Sequence, residues 1–183
     1  MTTRGHGAER FLWLLRHAKT DPEPPRGGTD HDRLLVPRGR RDATALGLRL
    51  RAGDLGFGAG ATPELVLTST AARTTETCAL VVAALGTPLE RRRRLYYGSP
   101  TDLLAEVRSV DDEVRAVMVV GHNPAIRSLA LELLAPDDRA GHEALAAFPT
   151  CAVALLRVGV RRWRDLSYGE ATLEGFARPP YDA

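Results

Sequence analysis

Four side chains able to do phosphate chemistry are spread along the chain, each just after a predicted strand. They are the adjacent pair Arg16 and His17, then Arg73, and finally His122. Guanidinium groups bind phosphate oxygens through paired hydrogen bonds, and an imidazole can attack phosphorus as a nucleophile. Together they predict a site that binds a phosphate-like anion and holds a histidine able to attack phosphorus.

Each of these residues also has an ordinary structural interpretation when it is considered alone. A lone histidine at a strand end is usually a hydrogen-bonded structural residue, and a lone arginine is usually in a surface ion pair. The segment Gly121-His122-Asn123-Pro124 could by itself be a turn into a helix. Separate structural roles do not readily account for all four residues, since each follows a predicted strand. His6, His31 and His142 lie in polar, loop-like surroundings, and we expect them at the surface.

Strands and helices are predicted to alternate along the chain. Short apolar runs indicate strands, and apolar residues at helical spacing indicate helices. The predicted strands are Phe11–Leu15, Leu65–Thr68, Leu89–Tyr97, Ala116–Val120, Thr150–Val158 and Arg162–Tyr168. The predicted helices are Gly39–Arg51, Ala71–Leu85, Pro100–Val110 and Pro124–Leu134, with loops at Asp21–Asp32, Ala52–Pro63 and Pro136–His142.

This alternation predicts an α/β fold in which helices cover both faces of a mostly parallel sheet. In such folds ligands bind beyond the carboxyl ends of the strands, where the four residues are expected to meet. The length of 183 residues fits one domain. We expect a single domain over 1–183, with a core at about 11–179 and a flexible tail at 1–9.

The composition, with 44% hydrophobic and 26% charged residues, is that of a soluble globular protein. The formal charge is only +2, although arginines cluster at Arg38–Arg41 and Arg91–Arg94, where they would be solvated or attract anionic substrates. No run reaches the roughly 18 apolar residues of a membrane helix. The absence of a signal-peptide pattern favours a cytoplasmic location. Cys78 and Cys151 are expected to be buried free thiols.

The ordered set of motifs resembles the histidine phosphatase superfamily, and within it the SixA-like phosphohistidine phosphatases. The resemblance spans roughly 12–179. The superfamily motifs are Leu15-Arg16-His17-Ala18, Arg73-Thr74 after Ser69, and Gly121-His122. The SixA-like features are the short length and the segments Arg16–Thr20, Asp30–Arg33, Val120–Pro124 and Phe148–Thr150.

This resemblance implies a phosphoglycerate mutase-like fold, a three-layer αβα sandwich without a cap insertion. It implies that His17 is the nucleophile, that Arg16 and Arg73 bind the phosphate, and that His122 is a further ligand. It also suggests smaller contributions to phosphate binding from two polar residues next to these motifs, Thr20 and Asn123.

The nucleophilic role places two requirements on His17. The imidazole must be neutral, and flanking arginines favour this because they lower the pKa of the ring. One ring nitrogen must also be held as a donor, for example to a backbone carbonyl, so that the other is free to attack phosphorus.

The sequence offers three candidates for the general acid that would protonate the leaving group. Many superfamily members carry a glutamate about where Tyr97 stands, and a phenol with a pKa near 10 is a weak acid at neutral pH. Asp102 and Asp21 are the alternative candidates. A missing acid disfavours alkyl phosphate esters, whose leaving alkoxide needs a proton, and favours phosphoramidates or activated phosphates.

Three functions therefore remain open at this point. The first is a phosphatase that acts through a phosphohistidine intermediate on protein phosphohistidine or another phosphorylated substrate. The second is a phosphomonoesterase for small metabolites, and the third is a non-catalytic phosphate-binding module. None of these requires a cofactor or metal, a nucleic acid or a membrane. The sequence does not determine the oligomeric state.

Overall fold

The computed structural model describes residues 9–57 and 62–181. They form a six-stranded sheet in the order β3-β2-β4-β1-β5-β6. The strands are β1 Arg10–Arg16, β2 Leu65–Thr68, β3 Leu89–Arg91, β4 Ala116–Gly121, β5 Val153–Val158 and β6 Ala171–Ala177. The pairs β3–β2, β2–β4 and β4–β1 are parallel, whereas the pairs β1–β5 and β5–β6 are antiparallel. Strand β5 therefore runs in the opposite direction to the other five strands. The prediction of a mostly parallel sheet is confirmed.

The described residues also form six α-helices, which pack around this sheet. Their bounds are α1 Pro37–Ala52, α2 Ala72–Leu85, α3 Arg94–Tyr97, α4 Pro100–Arg108, α5 Ala125–Leu133 and α6 Arg139–Ala144. α1 packs against α2, and α4 packs against α5. Pro37 at the start of α1 and the left-handed Gly53 after its end are typical helix boundary residues.

Successive side chains of β1 and β4 point to opposite faces of the sheet, which divides the core into two layers. Leu12 and Leu14 point into the cluster with α4 and α5, whereas Trp13 and Leu15 point into the cluster with α1 and α2. Both faces of the sheet are therefore covered by helices, which gives the expected three-layer αβα arrangement. Cys78 and Cys151 are buried and free, as predicted.

Three segments differ from the prediction. The strand predicted over Leu89–Tyr97 ends at Arg91, and Arg94–Tyr97 forms α3, whose Leu95 is buried in the core. The last strand is Ala171–Ala177 instead of Arg162–Tyr168, where Trp163–Asp165 forms a 3₁₀ turn. The segment predicted as a loop at Pro136–His142 contains the start of α6.

The predicted tail at 1–9 lies outside the described residues except for Glu9. Within the described ranges, no helix has the length and apolar character needed to cross a membrane.

Candidate active site

His17 is held at the end of β1 by backbone hydrogen bonds on both sides. Its N–H donates to the Gly121 carbonyl at 3.0 Å, and its carbonyl accepts from the Cys151 N–H at 3.0 Å. The Nδ1 atom of the ring lies 2.8 Å from the Ala18 carbonyl oxygen. A carbonyl only accepts, so Nδ1 carries the proton and Nε2 keeps its lone pair. The required donor contact is therefore present.

Burial keeps the His17 imidazole neutral. The residue is 9% exposed, and its pKa is lowered to about 4, chiefly by burial, with smaller contributions from the charges of Arg73, Arg16 and Arg33. The hydrogen bond to Ala18 acts in the opposite direction. The predicted direction of the pKa shift is correct, but desolvation rather than the arginines is its largest cause.

Arg73 enters the site from the first turn of α2 and is only 7% exposed. Its guanidinium donates from Nη1 to the Asp30 carbonyl at 2.6 Å and from Nη2 to the Asp30 carboxylate at 2.9 Å. The same carboxylate group accepts from Arg33 Nη1 and from the Tyr96 hydroxyl, each at 2.9 Å. These contacts lower the Asp30 pKa to about 2, with the Arg33 hydrogen bond as the largest cause. Asp30 is therefore ionised and fixes the orientation of Arg73.

Arg16 and Asn123 converge on one backbone carbonyl. Arg16 Nη1 and Asn123 Nδ2 donate to the Phe148 oxygen at 3.0 Å and 2.9 Å. Among the described residues, Arg16 Nε and Asn123 Oδ1 are buried without a hydrogen-bond partner. Burial also lowers the pKa of Arg16. The free Nε–H of Arg16 leaves this guanidinium with donor capacity for an anion.

His122 lies beside His17, with 5.2 Å between the ring centroids. Its Nε2 is 2.9 Å from the Ser69 hydroxyl, and its buried Nδ1 has no partner within the described part of the chain. The pKa of His122 is lowered to about 3, first by burial and then by the nearby charges of His17 and Arg73. Two neutral imidazoles therefore lie side by side, with the Arg16 and Arg73 guanidiniums close enough to lower the pKa of both rings.

Thr77 connects the loop after β1 to helix α2. Its hydroxyl accepts from the Ala18 N–H at 2.9 Å and donates to the Arg73 carbonyl at 2.6 Å. Because both contacts are buried, this one side chain holds the His17 and Arg73 segments in a fixed relationship.

A groove extends from His122 towards the surface. It encloses about 320 Å³ and is lined by Leu95, Tyr96, Tyr97, Gly98, Ser99, Pro100, His122, Asn123, Pro124, Ala125 and Ser128. Tyr97 is 87% exposed at its outer end. Tyr97 is thus the one of the three general-acid candidates that lines the groove.

The other two candidate acids have local structural roles. The Asp102 carboxylate accepts from the N–H and hydroxyl of Ser99 at 2.9 Å and 2.7 Å, which completes the N-terminal cap of α4. The Asp21 carboxylate accepts from the Glu23 N–H at 3.0 Å in an exposed turn. Neither contact brings a carboxylic acid to the pocket.

The Thr20 hydroxyl contacts a neighbouring arginine. Its oxygen accepts from Arg33 Nη2 at 2.7 Å, so Thr20 positions a cation near the site. Asn123 is similarly engaged through its amide nitrogen. Both residues therefore hold neighbouring groups in place, and their role as minor phosphate ligands stays a prediction.

Several residues at the site were not predicted as site residues. Asp30, Ser69, Thr77 and Tyr96 contact the predicted residues directly. His31, which we expected at the surface, lies 3.1 Å from the Thr70 hydroxyl, and its ring packs edge-on against Tyr96 at 4.7 Å. Asp30 and His31 lie in Asp30–Arg33, one of the segments that resemble the SixA-like phosphatases. This resemblance was the sequence feature that could have identified them as site residues.

The two arginine clusters are only partly free to attract anions. In the first, Arg38 pairs with Asp42 and Arg40 pairs with Glu76. In the second, Arg92 contacts Glu90 and Glu106. Arg93 and Arg94 are exposed at the start of α3, close to the groove.

Comparison with known proteins agrees with this geometry. The family model of the histidine phosphatase superfamily (branch 1) matches residues 12–96. An uncharacterised protein of Mycobacterium tuberculosis is 38% identical over 168 residues, which cover 90% of this chain and 99% of that protein. An uncharacterised protein of Mycobacterium leprae is 35% identical over 171 residues, with the same coverage of both chains.

Solved structures extend the comparison. A protein from Nakamurella multipartitia assigned as a phosphohistidine phosphatase SixA is 34% identical, with a TM-score of 0.79 and coverage of 94% of this chain and 97% of that one. The protein histidine phosphatase SixA complexed with tungstate shares the fold at 21% identity, with a TM-score of 0.71 and coverage of 91% and 95%. The chain therefore belongs to the histidine phosphatase superfamily as a SixA-like member, and it is a phosphatase that acts through a histidine intermediate.

Proposed function

We propose that His17 is the phosphoryl acceptor of this phosphatase and that the substrate is a phosphorylated histidine side chain. Arg16 and Arg73 hold the phosphate oxygens, and His122 is a further ligand. The observation that carries the assignment is the fixed tautomer of His17. Its Nδ1–H is bonded to the Ala18 carbonyl, and its unprotonated Nε2 is left beside two guanidiniums.

In the first step, the lone pair on His17 Nε2 forms a bond to phosphorus. The bond between phosphorus and the leaving nitrogen breaks, and its electron pair stays on that nitrogen, which takes a proton from water. The guanidiniums of Arg16 and Arg73 stabilise the charge on the three equatorial oxygens. The contact to Ala18 becomes more favourable as the His17 ring gains positive character.

In the second step, a water molecule attacks the phosphorus of phospho-His17. The bond between phosphorus and Nε2 breaks, and inorganic phosphate leaves together with the proton lost by the water. Neutral His17 is regenerated and is ready for the next turnover. Its low pKa keeps the ring unprotonated at neutral pH.

The preference for a phosphoramidate rests on the surroundings of the leaving group. The described side chains that line the groove include no aspartate or glutamate. Asp30 is near the site, but its pKa of about 2 makes it an anion without a proton to donate. An alkoxide leaving from an alkyl ester would need such a proton, whereas the ring nitrogen of phosphohistidine can be protonated by solvent.

A phosphomonoesterase for small metabolites is the competing function. The groove at His122 favours this alternative, because its volume of about 320 Å³ could also hold a small molecule. The two functions differ in the leaving group that they need, and this difference makes them separable by experiment.

The experiment compares kcat/KM for a phosphohistidine peptide with kcat/KM for glycerol phosphate, using wild type and His17→Ala. We expect the peptide to be the better substrate of the wild type and His17→Ala to turn over neither. Faster hydrolysis of glycerol phosphate than of the peptide would refute the phosphohistidine assignment. Equal rates for wild type and His17→Ala would refute the role of His17.

A further inference from the structure

Four aromatic rings lie in sequence from the nucleophile to the surface. The ring centroids are 5.2 Å apart for His17 and His122, 5.6 Å for His122 and Tyr96, and 4.0 Å for Tyr96 and Tyr97. The last three rings line the groove. The four rings therefore form a continuous row from His17 to the exposed Tyr97.

The two tyrosines at the outer end differ in how firmly they are held. The Tyr96 hydroxyl is bonded to Asp30, its ring packs against His31, and the Arg73 guanidinium lies 5.7 Å from the ring centroid. Tyr97 packs against Tyr96 and is 87% exposed. Tyr96 is thus part of the framework of the site, whereas Tyr97 has a large ring surface open to a ligand.

A single exposed aromatic residue is common and needs no explanation. Tyr97 differs because it lies on the wall of a groove whose inner end is His122. Most other groove residues are apolar or small, and Ser99 is already used to cap α4. Such a lining suits a flat, uncharged ring better than a sugar or a glycerol unit, since hydroxyl groups would lose hydrogen bonds to water there.

We propose that this groove binds the leaving group of the substrate and that Tyr97 selects a planar ring there. The inference rests on the proposed function, because it places the imidazole ring of the phosphohistidine substrate against Tyr97 during transfer to His17. The ring face of Tyr97 would stack on the departing ring, which gains an electron pair on nitrogen and a proton from water as the phosphoryl group leaves.

This selection can be measured with three substrates that differ in the leaving group. A phosphohistidine peptide and p-nitrophenyl phosphate carry a planar ring, and the phosphoramidate ion carries none. The readout is the ratio of kcat/KM for each ring substrate to kcat/KM for phosphoramidate. Using this ratio removes effects on the phosphate pocket that all three substrates share.

We expect Tyr97→Ala to lower both ratios about five- to tenfold, the usual range for one aromatic stacking contact. Tyr97→Phe should keep both ratios within about twofold of wild type, because the ring remains. Tyr168→Ala is the matched control. This residue is an exposed tyrosine that does not line the groove and is bonded to Thr101, and its replacement should leave the ratios unchanged.

Two results would overturn the proposal. One is an unchanged ratio in Tyr97→Ala. The other is an equal loss in Tyr97→Phe and Tyr97→Ala, which would assign the effect to the hydroxyl. Failure of the proposed function has a different signature. In that case the wild type would not hydrolyse the phosphohistidine peptide, while the ratio for p-nitrophenyl phosphate would still report on Tyr97.

Discussion

The guanidinium of Arg73 donates to both the carbonyl and the carboxylate of Asp30, at 2.6 Å and 2.9 Å. An arginine that must meet a phosphate is thus oriented by an acidic residue 43 positions earlier in the chain. The carboxylate remains ionised because Arg33, Tyr96 and Arg73 all donate to it. Asp30 acts as a positioning residue for Arg73.

This relationship predicts coupled effects of mutation at the two positions. Asp30→Ala should lower kcat/KM about tenfold, because Arg73 loses one fixed orientation. Arg73→Ala should lower it by about 10²- to 10³-fold, as for loss of one charge-stabilising donor. Steady-state kinetics of both single variants and the double variant would measure the coupling.

The double variant should be no slower than Arg73→Ala alone, since Asp30 has no arginine left to orient. Fully multiplicative losses would show that Asp30 acts independently of Arg73. Asp137→Ala is a suitable control, since this acidic residue lies in the loop before α6.

Arg16 provides a second test through the geometry of its guanidinium. One nitrogen is bonded to the Phe148 carbonyl, and the buried Nε has no partner among the described residues. A lysine cannot make both kinds of contact, because it carries a single ammonium group. Arg16→Lys should therefore lower kcat by about 10²- to 10³-fold in a p-nitrophenyl phosphate assay.

The same exchange at Arg51, an exposed arginine near the end of α1, should leave kcat unchanged. Rates within threefold of wild type for Arg16→Lys would mean that only the positive charge at this position matters.

The expectation that polar residues after parallel strands meet at one edge of the sheet correctly predicted that Arg16, His17, Arg73 and His122 lie close together. Arg16-His17, Arg73 and His122 could be placed from sequence because β1, β2 and β4 are short apolar runs, and parallel strands bring their carboxyl ends to one edge. The contacts of Asp30 could not be predicted in this way. Asp30 lies in a loop, and only the packing of that loop against α2 brings it to Arg73.

The errors in secondary structure also have physical causes. Tyr96 and Tyr97 favour strands by residue type, but Leu95 is buried in the core from a short helix that ends at Gly98, where a Cβ atom would overlap the Arg94 carbonyl oxygen. At the other end, Ala171–Ala177 pairs with β5, and the apolar–polar alternation of that segment was a usable signal. Trp163 instead fills the core from a 3₁₀ turn, with its ring N–H bonded to the Val114 carbonyl.

The protonation of His17 gives a prediction on pH. Its folded pKa of about 4 lies below the ordinary value of 6.5, so the ring should stay neutral until the pH approaches 4. Unfolded chains bind the proton between these values, and stability should therefore fall as the pH drops from 6.5 to 4. Histidine NMR titration would measure the pKa, and chemical denaturation would measure stability across this range.

The free energy of unfolding of His17→Asn should fall less than that of wild type over the same pH range, because the variant lacks the imidazole whose pKa is lowered by folding. A His17 titration midpoint near 6.5 would contradict the account, since half of the nucleophile would then be protonated at that pH.

Gly39 provides a test of how α1 supports the loop after His17. A Cβ atom at this position would overlap the carbonyl oxygen of Lys19, which is backbone and cannot simply rotate away. Gly39→Ala should cost about 1–3 kcal/mol of stability and lower activity, because the shift reaches the loop that carries Ala18. Thermal unfolding and p-nitrophenyl phosphate turnover would report the two effects.

Gly159→Ala is the matched control, since a Cβ there meets nothing within 4 Å. It should change neither property. If Gly39→Ala behaved like Gly159→Ala, the close packing of α1 against Lys19 would not matter for the site.

In the proposed mechanism the phosphoryl group is carried by one nitrogen of His17, Nε2. The most direct measurement is mass spectrometry of the protein, quenched rapidly at alkaline pH during turnover of a phosphohistidine peptide. We expect an acid-labile phosphate on the peptide that contains His17 in wild type and its absence in His17→Asn. Phosphate found on His122 instead, or turnover retained by His17→Asn, would contradict this mechanism.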